Sequence, residues 1–178
     1  MTSPARSGAL LIAGSPSDLD LVLQSQEVLE SFGIPSEIRV LSAHRTPEAV
    51  VELVSGAERA GTDVIIAFAG LAAHLAGVVA AHTMLPVIGV PVASGPLRGI
   101  DAALSTLQMP PGTPVATVAI DGAKNAALLA ARILAVREPE LRDKLRAQLE
   151  IDRERYDAEQ IAAEIESRKK ARASKARR

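Results

Sequence analysis

The amino-acid sequence predicts an α/β protein built on a single parallel sheet with helices on both faces. Five short apolar runs alternate with five segments of helical apolar periodicity, and this alternation is typical of βαβ units. The 178 residues are 48% hydrophobic but only 2% aromatic, so Ala, Val, Leu and Ile must form the core. Small and branched side chains of this kind suit close packing of helices on a sheet. A chain of this length is expected to form one domain.

The first strand and the first helix are separated by a polar turn. The run GALLIAG at residues 8–14 is apolar and ends in glycine, which indicates a buried strand. Residues 15–18, SPSD, supply helix-capping side chains. Apolar periodicity then predicts a helix over 19–32, which Gly33 ends.

The second strand leads directly into a strong helix start. SEIRVLSA at residues 36–43 is predicted as a strand. Thr46 offers a capping hydroxyl, and Pro47 has the backbone angle that suits the first helical turn. The helix is predicted to reach about Ala60, before Gly61.

The later elements continue the alternation. The predicted strands are 63–70, 85–92 and 114–120, and the predicted helices are 72–83, 99–108 and 123–136. After Pro139 the chain is predicted as one long charged helix with a narrow apolar stripe. Because such a helix is too polar for a core, we expect it to lie across a neighbouring subunit or to project from the body.

The charges are distributed unevenly along the chain. The formal net charge is −1, but seven of the 20 Lys and Arg residues lie in 168–178, where no acid occurs. Because Glu166 is the only one of the 21 acids beyond residue 165, residues 1–165 hold 13 basic and 20 acidic side chains. We therefore predict one domain over 1–165 and a basic tail over 166–178. The tail is expected to be disordered and solvated, with contact to nucleic acid or an anionic membrane as the alternative.

The composition excludes several classes of function. The chain contains no Cys, which rules out disulfides, thiolate nucleophiles and cysteine zinc sites. Its three His residues lack a metal-ligand spacing such as HExxH, and we predict no metal site. The acidic body does not favour nucleic acid as a ligand. No apolar stretch approaches the roughly 20 residues of a membrane span, and the N-terminus lacks an apolar signal segment, so we expect a soluble cytoplasmic protein.

Polar clusters follow three of the predicted strands, at the point where each strand ends. GSPSD at 14–18, SAHRTP at 42–47 and GLAAH at 70–74 come directly after the first, second and third strands. Ligands of open α/β sheets bind beyond the carboxyl ends of the strands. Helix N-termini at these ends present free N–H groups, and Arg45 adds paired donors. The clusters therefore predict a ligand that carries a phosphate.

Several of these residues also have an ordinary structural explanation. Ser15, Ser17 and Asp18 could act only as helix caps. Thr46 and Pro47 are predicted to be cap residues. If capping is the only role of these residues, the cluster at 14–18 binds no ligand.

The three histidines are the side chains that titrate near neutral pH without perturbation. His82 lies within the apolar periodicity of a predicted helix, which indicates a structural role. His74 is intermediate between His82 and His44 in this respect. His44 stands immediately before a helix N-terminus among polar residues. It is the candidate for proton exchange with a ligand.

Six segments occur in an order that is specific when they are taken together. They are GSPSD, LSAHRTP, AGLAAHLAG, LPVIGVPV, QMPPGTPVATVAI and AKNAALLAARILA, and they span about residues 9–137. With them the chain resembles the PurE family, the N5-carboxyaminoimidazole ribonucleotide mutases of purine biosynthesis. The resemblance implies a flavodoxin-like three-layer sandwich and a homo-octamer with sites near subunit boundaries. It also implies a ribonucleotide substrate and no metal or organic cofactor.

The resemblance carries roles for individual residues. His44 matches the family's catalytic histidine, which protonates the departing carbamate and later removes the C4 proton while carbon dioxide stays in the site. Ser15, Asp18 and Arg45 match nucleotide-binding positions. The implied substrate-binding set is completed by Ser17, Ser42, Ala43, Gly70, Ala73, His74 and Leu75.

One loop departs from the family pattern. The family usually reads AGAGGAAHLPG where this chain has AFAGLAAHLAG, so Phe68 and Leu71 stand at glycine positions and Ala76 at a proline position. Glycine is common where the backbone adopts positive φ or approaches a ligand, so the replacements could narrow the pocket. The replacements are compatible with three possibilities, which are an active enzyme with compensating changes, a paralogue with another substrate, and an inactive relative. We favour the first, because both catalytic clusters are unchanged.

Two other functions stay open beside the mutase. The family's second class carboxylates aminoimidazole ribonucleotide with free carbon dioxide, but it usually carries Lys where this chain has Arg45. The third possibility is a nucleotide-binding or scaffold protein without turnover, which the altered loop and the charged C-terminal helix support. The leading prediction is an isomerase that moves a carboxyl group within a ribonucleotide.

Overall fold

The structure is a computed structural model that describes residues 8–57 and 59–175. The strands are β1 Gly8–Ala13, β2 Ser36–Val40, β3 Thr62–Gly70, β4 Val87–Val92 and β5 Ala116–Thr117. The helices are α1 Leu19–Ser31, α2 Pro47–Ala57, α3 Leu75–Ala80, α4 Ile100–Leu107, α5 Ala123–Leu134, α6 Pro139–Glu154 and α7 Ala158–Lys175. A single 3-10 turn, Pro16–Asp18, precedes α1.

The five strands form one parallel sheet in the order β2-β1-β3-β4-β5. This order is the flavodoxin-like arrangement, and it confirms the α/β fold predicted from the sequence. The register pairs Ala13 with Phe68 and Gly70 with Val92, so the carboxyl ends of β1, β3 and β4 lie side by side. Loops that leave these strands therefore meet at one edge of the sheet.

Each face of the sheet is covered by helices, which gives three layers. On one face α1 and α5 pack against β1, β3 and β4, and α5 contributes four fully buried alanines. On the other face α2 and α3 pack against alternate residues of the same strands, such as Leu10, Ile12 and Ile65. Because alanine brings a helix close to the strands, the core reaches high density without large aromatic side chains.

The fifth strand is shorter than the predicted 114–120. Only Ala116 and Thr117 pair with β4. Pro114 stands just before them, and proline has no backbone N–H to donate to a neighbouring strand. The pairing at this edge of the sheet is therefore brief.

The long charged helix predicted after Pro139 is present but divided in two. Oδ1 of Asp157 accepts hydrogen bonds from the backbone N–H groups of Glu159 at 3.0 Å and Gln160 at 3.2 Å. Asp157 is thus the N-cap of α7. The spacing of Asp and Gln in DAEQ, 157–160, is that of a capping box, and it marks the second helix start.

Helix α7 includes most of the segment that was predicted as a disordered tail. The helix continues to Lys175, and ion pairs Glu164–Arg168 and Glu166–Lys170 join side chains one turn apart. Residues 176–178 lie outside the described residues, and the domain boundary at residue 165 stays a prediction. Across 8–57 and 59–175, none of the helices combines the length and the apolar character that a membrane span requires.

Candidate functional site

A cavity of about 320 Å³ opens at the carboxyl ends of the strands, where the loops after β1, β2, β3 and β4 meet. The predicted site residues that line it are Ser15, Ser17, Asp18, Ser42, Ala43, His44, Arg45, Gly70, His74 and Leu75. Ala73 does not line the cavity, because it is buried against the core. The lining residues absent from the predicted set are Gly14, Ala69, Leu71, Ala72 and Ser94.

A larger cavity of about 570 Å³ lies elsewhere, between the end of α2, the loop before β4 and residues 112–114. His82 is the one histidine at its wall, and among the described residues no carboxylate or guanidinium lines it. The smaller cavity holds two histidines, a carboxylate and a guanidinium together. We therefore assign the chemistry to the smaller cavity.

The loop after β1 presents a carboxylate that does not cap a helix. Ser15 accepts hydrogen bonds from the backbone N–H of Ser17 at 3.3 Å and from its hydroxyl at 2.9 Å, so Ser15 caps the short turn before α1. Asp18 is the N-cap residue of α1 by position but makes no capping hydrogen bond with its side chain. Its Oδ1 instead accepts from the Ser17 hydroxyl at 3.0 Å. A purely structural explanation is thus sufficient for Ser15 and insufficient for Asp18.

Asp18 is 5% exposed although it carries an ionisable group. Burial raises the pKa of its carboxyl above the ordinary value, and the nearby charge of Asp121 adds to the rise. Hydrogen bonds from Ser17 and the backbone at Ser15 act in the opposite direction. A carboxylate kept in a partly dry site interacts strongly with polar groups of a ligand.

The loop after β2 is closed by hydrogen bonds that begin at Ser42. Its hydroxyl accepts from the backbone N–H groups of His44 at 3.4 Å and Arg45 at 3.3 Å. Thr46 Oγ1 accepts from the Ser42 N–H at 3.0 Å and lies 3.1 Å from the Ser42 carbonyl, to which it donates. Thr46 was predicted to cap α2 with its side chain, but it closes this loop instead. The closure holds His44 and Arg45 at the cavity.

Arg45 is exposed and its guanidinium has no ion pair or hydrogen bond within residues 8–57 and 59–175. Its planar donors are therefore available to a ligand. The start of α2 follows two residues later at Pro47, and the N-terminus of a helix is a favourable place for an anion. This combination favours binding of an anion such as a phosphate.

The two histidines of the cavity are hydrogen-bonded to each other. His44 Nε2 and His74 Nδ1 are 2.9 Å apart, and the rings meet edge to face with centroids 5.0 Å apart. One nitrogen of the pair donates and the other accepts, so the tautomers of the two rings are linked. This bond leaves the second nitrogen of each ring free to face a substrate. Within the described ranges, no group of three or more His, Asp or Glu side chains is placed to hold a metal.

His82 lies outside this site. It lies two residues beyond the end of α3 and is exposed, with Nδ1 2.8 Å from the carbonyl of Val78. The expectation that it occupies a packed helix position is wrong, because α3 ends at Ala80, short of the predicted 83. Its imidazole instead bonds the carbonyl end of that short helix.

The three residues that depart from the family pattern lie in β3, in the loop after it and in α3. Leu71 has a φ of 56°, in the left-handed region that favours glycine, and it lines the cavity wall. Phe68 is fully buried in the core with α1 and α5, so it does not narrow the cavity. Ala76 is buried in α3, and nothing in the structure explains why it replaces proline.

Comparison with known proteins gives consistent results for sequence and structure. The profile of the AIR carboxylase family matches residues 9–155. An N5-carboxyaminoimidazole ribonucleotide mutase of Pyrococcus horikoshii is 57% identical over 136 residues, which cover 76% of this chain and 77% of that protein. The protein of the same name from Pyrococcus abyssi is 57% identical over 136 residues, 76% of this chain and 78% of that protein.

A solved structure extends the likeness to the fold. The crystal structure of Treponema denticola PurE matches with a TM-score of 0.76 and 33% sequence identity, over 85% of this chain and 94% of that chain. The profile match includes the loops that form the cavity. The chain therefore belongs to the AIR carboxylase family, to which PurE proteins belong.

Proposed function

We propose that this protein is an N5-carboxyaminoimidazole ribonucleotide mutase, an isomerase of purine biosynthesis. The observation that carries the proposal is the His44–His74 hydrogen bond of 2.9 Å, inside a cavity that also holds Asp18 and Arg45. The names of the Pyrococcus relatives support the same activity. A cytoplasmic location, expected from the sequence, is part of the proposal.

The cavity has separate groups for the separate parts of a ribonucleotide. Arg45 offers paired donors to the phosphate. The Asp18 carboxylate accepts hydrogen bonds from sugar hydroxyls or from amino groups of the ring. The histidine pair then faces the reacting end of the substrate. These assignments give each ionisable side chain of the cavity a role.

The reaction transfers one carboxyl group between two atoms of the same molecule. His44 donates a proton to the exocyclic nitrogen as the bond from that nitrogen to the carboxyl carbon breaks, which releases carbon dioxide within the cavity. C4 of the electron-rich ring then forms a bond to the carbon dioxide, and the C4 proton returns to His44. The proton count of the enzyme is unchanged, and no oxidant or reductant is required. The hydrogen bond between His44 and His74 holds the His44 ring in place.

The runner-up activity is direct carboxylation of aminoimidazole ribonucleotide with free carbon dioxide. The name of the matching family, AIR carboxylase, supports it. Arg45 argues for the mutase, since the second class of the family usually carries Lys there. A binding protein without turnover is less well supported, because the acid–base pair and the nucleotide-binding groups occur together.

One assay separates the three functions. The purified full-length chain is given N5-carboxyaminoimidazole ribonucleotide, or aminoimidazole ribonucleotide, and the C4-carboxylated product is followed while bicarbonate is varied. A mutase forms product from the first compound at a rate that bicarbonate does not change. Product only from the second compound, and only with bicarbonate, would assign the carboxylase. No product from either would leave a binding protein.

We also infer that the protein is a homo-oligomer, an octamer as the resemblance implies. Helix α4 presents large apolar side chains one turn apart to solvent, and Ile100, Leu104 and Leu107 are 59%, 54% and 60% exposed. Exposed apolar patches of this kind are typical of protein contacts, and most soluble oligomers are assembled from identical chains. A second copy of the chain is therefore the occupant we assign to this face.

A further inference from the structure

Ser94 carries a buried hydroxyl oxygen that lacks a partner at the cavity wall, although the residue as a whole is only half-buried. Ser94 lies in the loop after β4. Among residues 8–57 and 59–175, its Oγ is the one buried side-chain oxygen or nitrogen atom that makes no hydrogen bond. An unpaired buried hydroxyl destabilises a fold, and native proteins contain few of them. Such an atom is therefore explained best by a partner that binds from outside the chain.

The other serine hydroxyls of the cavity are already engaged. Ser17 donates within the cluster that includes Ser15 and Asp18. Ser42 Oγ accepts from two backbone N–H groups of its own loop. Ser15 and Ser42 accept through Oγ, whereas Ser94 is the one of the four cavity serines whose hydroxyl makes no hydrogen bond among the described residues.

The position of the Ser94 hydroxyl is fixed by close packing on the sheet. A Cβ placed on Gly70 would lie 2.1 Å from Ser94 Oγ, so the hydroxyl occupies the space that any other residue at position 70 would fill. The backbone N–H of the preceding Ala93 donates to Oδ1 of Asp121 at 2.8 Å, which anchors the loop. Beside it, the half-exposed Leu71 lies against Gly95 and lines the same cavity.

The neighbourhood of Ser94 fits an acceptor that changes its charge. The strand order puts β1 and β3 between the β2 loop, which carries Arg45, and the β4 loop, which carries Ser94. Arg45 is the one permanently charged cation at the cavity wall among the described residues, and the Ser94 hydroxyl is a donor without charge. A migrating carboxyl group loses its charge as carbon dioxide and regains it at C4. A neutral donor can hold its oxygens in both states, whereas a cation would favour the charged one.

We propose that Ser94 is a further substrate-binding residue, whose hydroxyl donates a hydrogen bond to an oxygen of the carboxyl group that the reaction moves. This inference rests on the proposed mutase function. It deepens that function by naming a contact to the reacting group.

The test compares two nucleotides that differ only in the carboxyl group. Calorimetry on the full chain measures binding of 4-carboxy-5-aminoimidazole ribonucleotide and of 5-aminoimidazole ribonucleotide to the parent and to Ser94→Ala. We expect Ser94→Ala to raise the Kd of the carboxylated nucleotide about tenfold, the scale of one hydrogen bond to a charged group, with the Kd of the other unchanged. Its Tm without nucleotide should not fall, because no protein hydrogen bond is lost.

Ser25→Ala is the matched control. The Ser25 hydroxyl is fully buried and donates to the carbonyl of Ala123 at 2.6 Å. Its loss should lower Tm and leave the ratio of the two Kd values unchanged. If the parent turns over, and Ser94→Ala raises the Kd of both nucleotides equally or of neither, the role of Ser94 is overturned and the proposed function stands. A parent that binds neither nucleotide and forms no product overturns the proposed function as well.

Discussion

At the scale of single residues, Asp18 is a carboxylate held in the fold at a cost in stability. It is buried, it does not cap α1, and burial raises its pKa. At a pH below its ordinary value of 3.8 the carboxyl is neutral in both folded and unfolded chains, so burial of charge costs nothing. As pH rises through the raised folded value, the folded chain must bury the charge. The contribution of Asp18 to stability therefore falls with rising pH.

We predict that Asp18→Asn stabilises the protein at neutral pH and weakens nucleotide binding. Melting of parent and variant from about pH 4 to pH 7 should show a Tm advantage of the variant that grows with pH. Calorimetry with nucleotide should show the loss of affinity. A Tm difference that stays constant with pH would contradict the assigned burial of charge.

A second residue-scale prediction concerns the left-handed backbone at Leu71. A leucine in this conformation is disfavoured by about 1–2 kcal/mol, whereas glycine adopts it freely but loses more entropy on folding. Leu71→Gly should therefore change the free energy of unfolding by less than about 1 kcal/mol. Leu23→Gly, at a half-exposed position inside α1, should destabilise by about 1 kcal/mol or more. Urea denaturation measures both, and equal losses would argue against strain at Leu71.

Residue-level prediction from the sequence reached His44 because strand ends are identifiable and polar clusters stand out. Ser94 was missed although it follows the predicted fourth strand, since one serine in VASGP forms no cluster. Its significance depends on the absence of a partner and on the contact with Gly70, which the sequence does not reveal. The hydrogen bond between His44 and His74 joins residues 30 positions apart and likewise needs the fold.

At the scale of elements, α4 packs against β4 through a glycine. A Cβ placed on Gly89 would lie 2.3 Å from Thr106 Cγ2 and 3.0 Å from Val115 Cγ1. We predict that Gly89→Ala destabilises the protein by about 1–3 kcal/mol, as overpacking of a core does. Gly56→Ala is the control, because nothing lies within 4 Å of its added Cβ and the residue is inside α2. That variant should be stabilised by roughly 0.5–1 kcal/mol. Equilibrium urea unfolding that ranks the two in the reverse order would exclude this packing.

Element boundaries were predicted well where a local signal exists. The start of α2 at Pro47 and the end of α1 before Gly33 agree with the sequence signals to within a residue or two. The division between α6 and α7 also has a local signal at Asp157, but uniform charge on both sides obscured it. Pro114 is a local signal against pairing at the start of β5, but where the strand ends depends on how the whole loop after α4 lies.

At the scale of the whole molecule, the proposed homo-oligomer places the exposed face of α4 in a contact between subunits. We predict that Leu104→Glu shifts the protein from its oligomer to smaller species, because a charge cannot be buried in an apolar contact without a partner. Leu23→Glu, on α1 across the sheet, should leave the oligomer intact. Light scattering at micromolar concentration distinguishes the species. A monomeric parent protein would contradict the assembly itself.

The central claim is that the loops at the carboxyl end of the sheet form one catalytic cavity in which His44 moves the proton. The fold brings loops from four strands together there, and the rest of the molecule holds them in place. A group that only positions substrate acts mainly on affinity, whereas a proton shuttle acts on turnover.

The most direct measurement is the mutase turnover of His44→Asn, together with its nucleotide affinity. Asparagine keeps a polar side chain but cannot exchange protons near neutral pH. Turnover should fall about 10²–10⁴-fold, the usual contribution of a general acid–base group, with a much smaller change in affinity. His82→Asn, which alters an exposed histidine outside the cavity, should retain parental turnover. A His44→Asn protein that folds, binds nucleotide and turns over at the parental rate would contradict the claim.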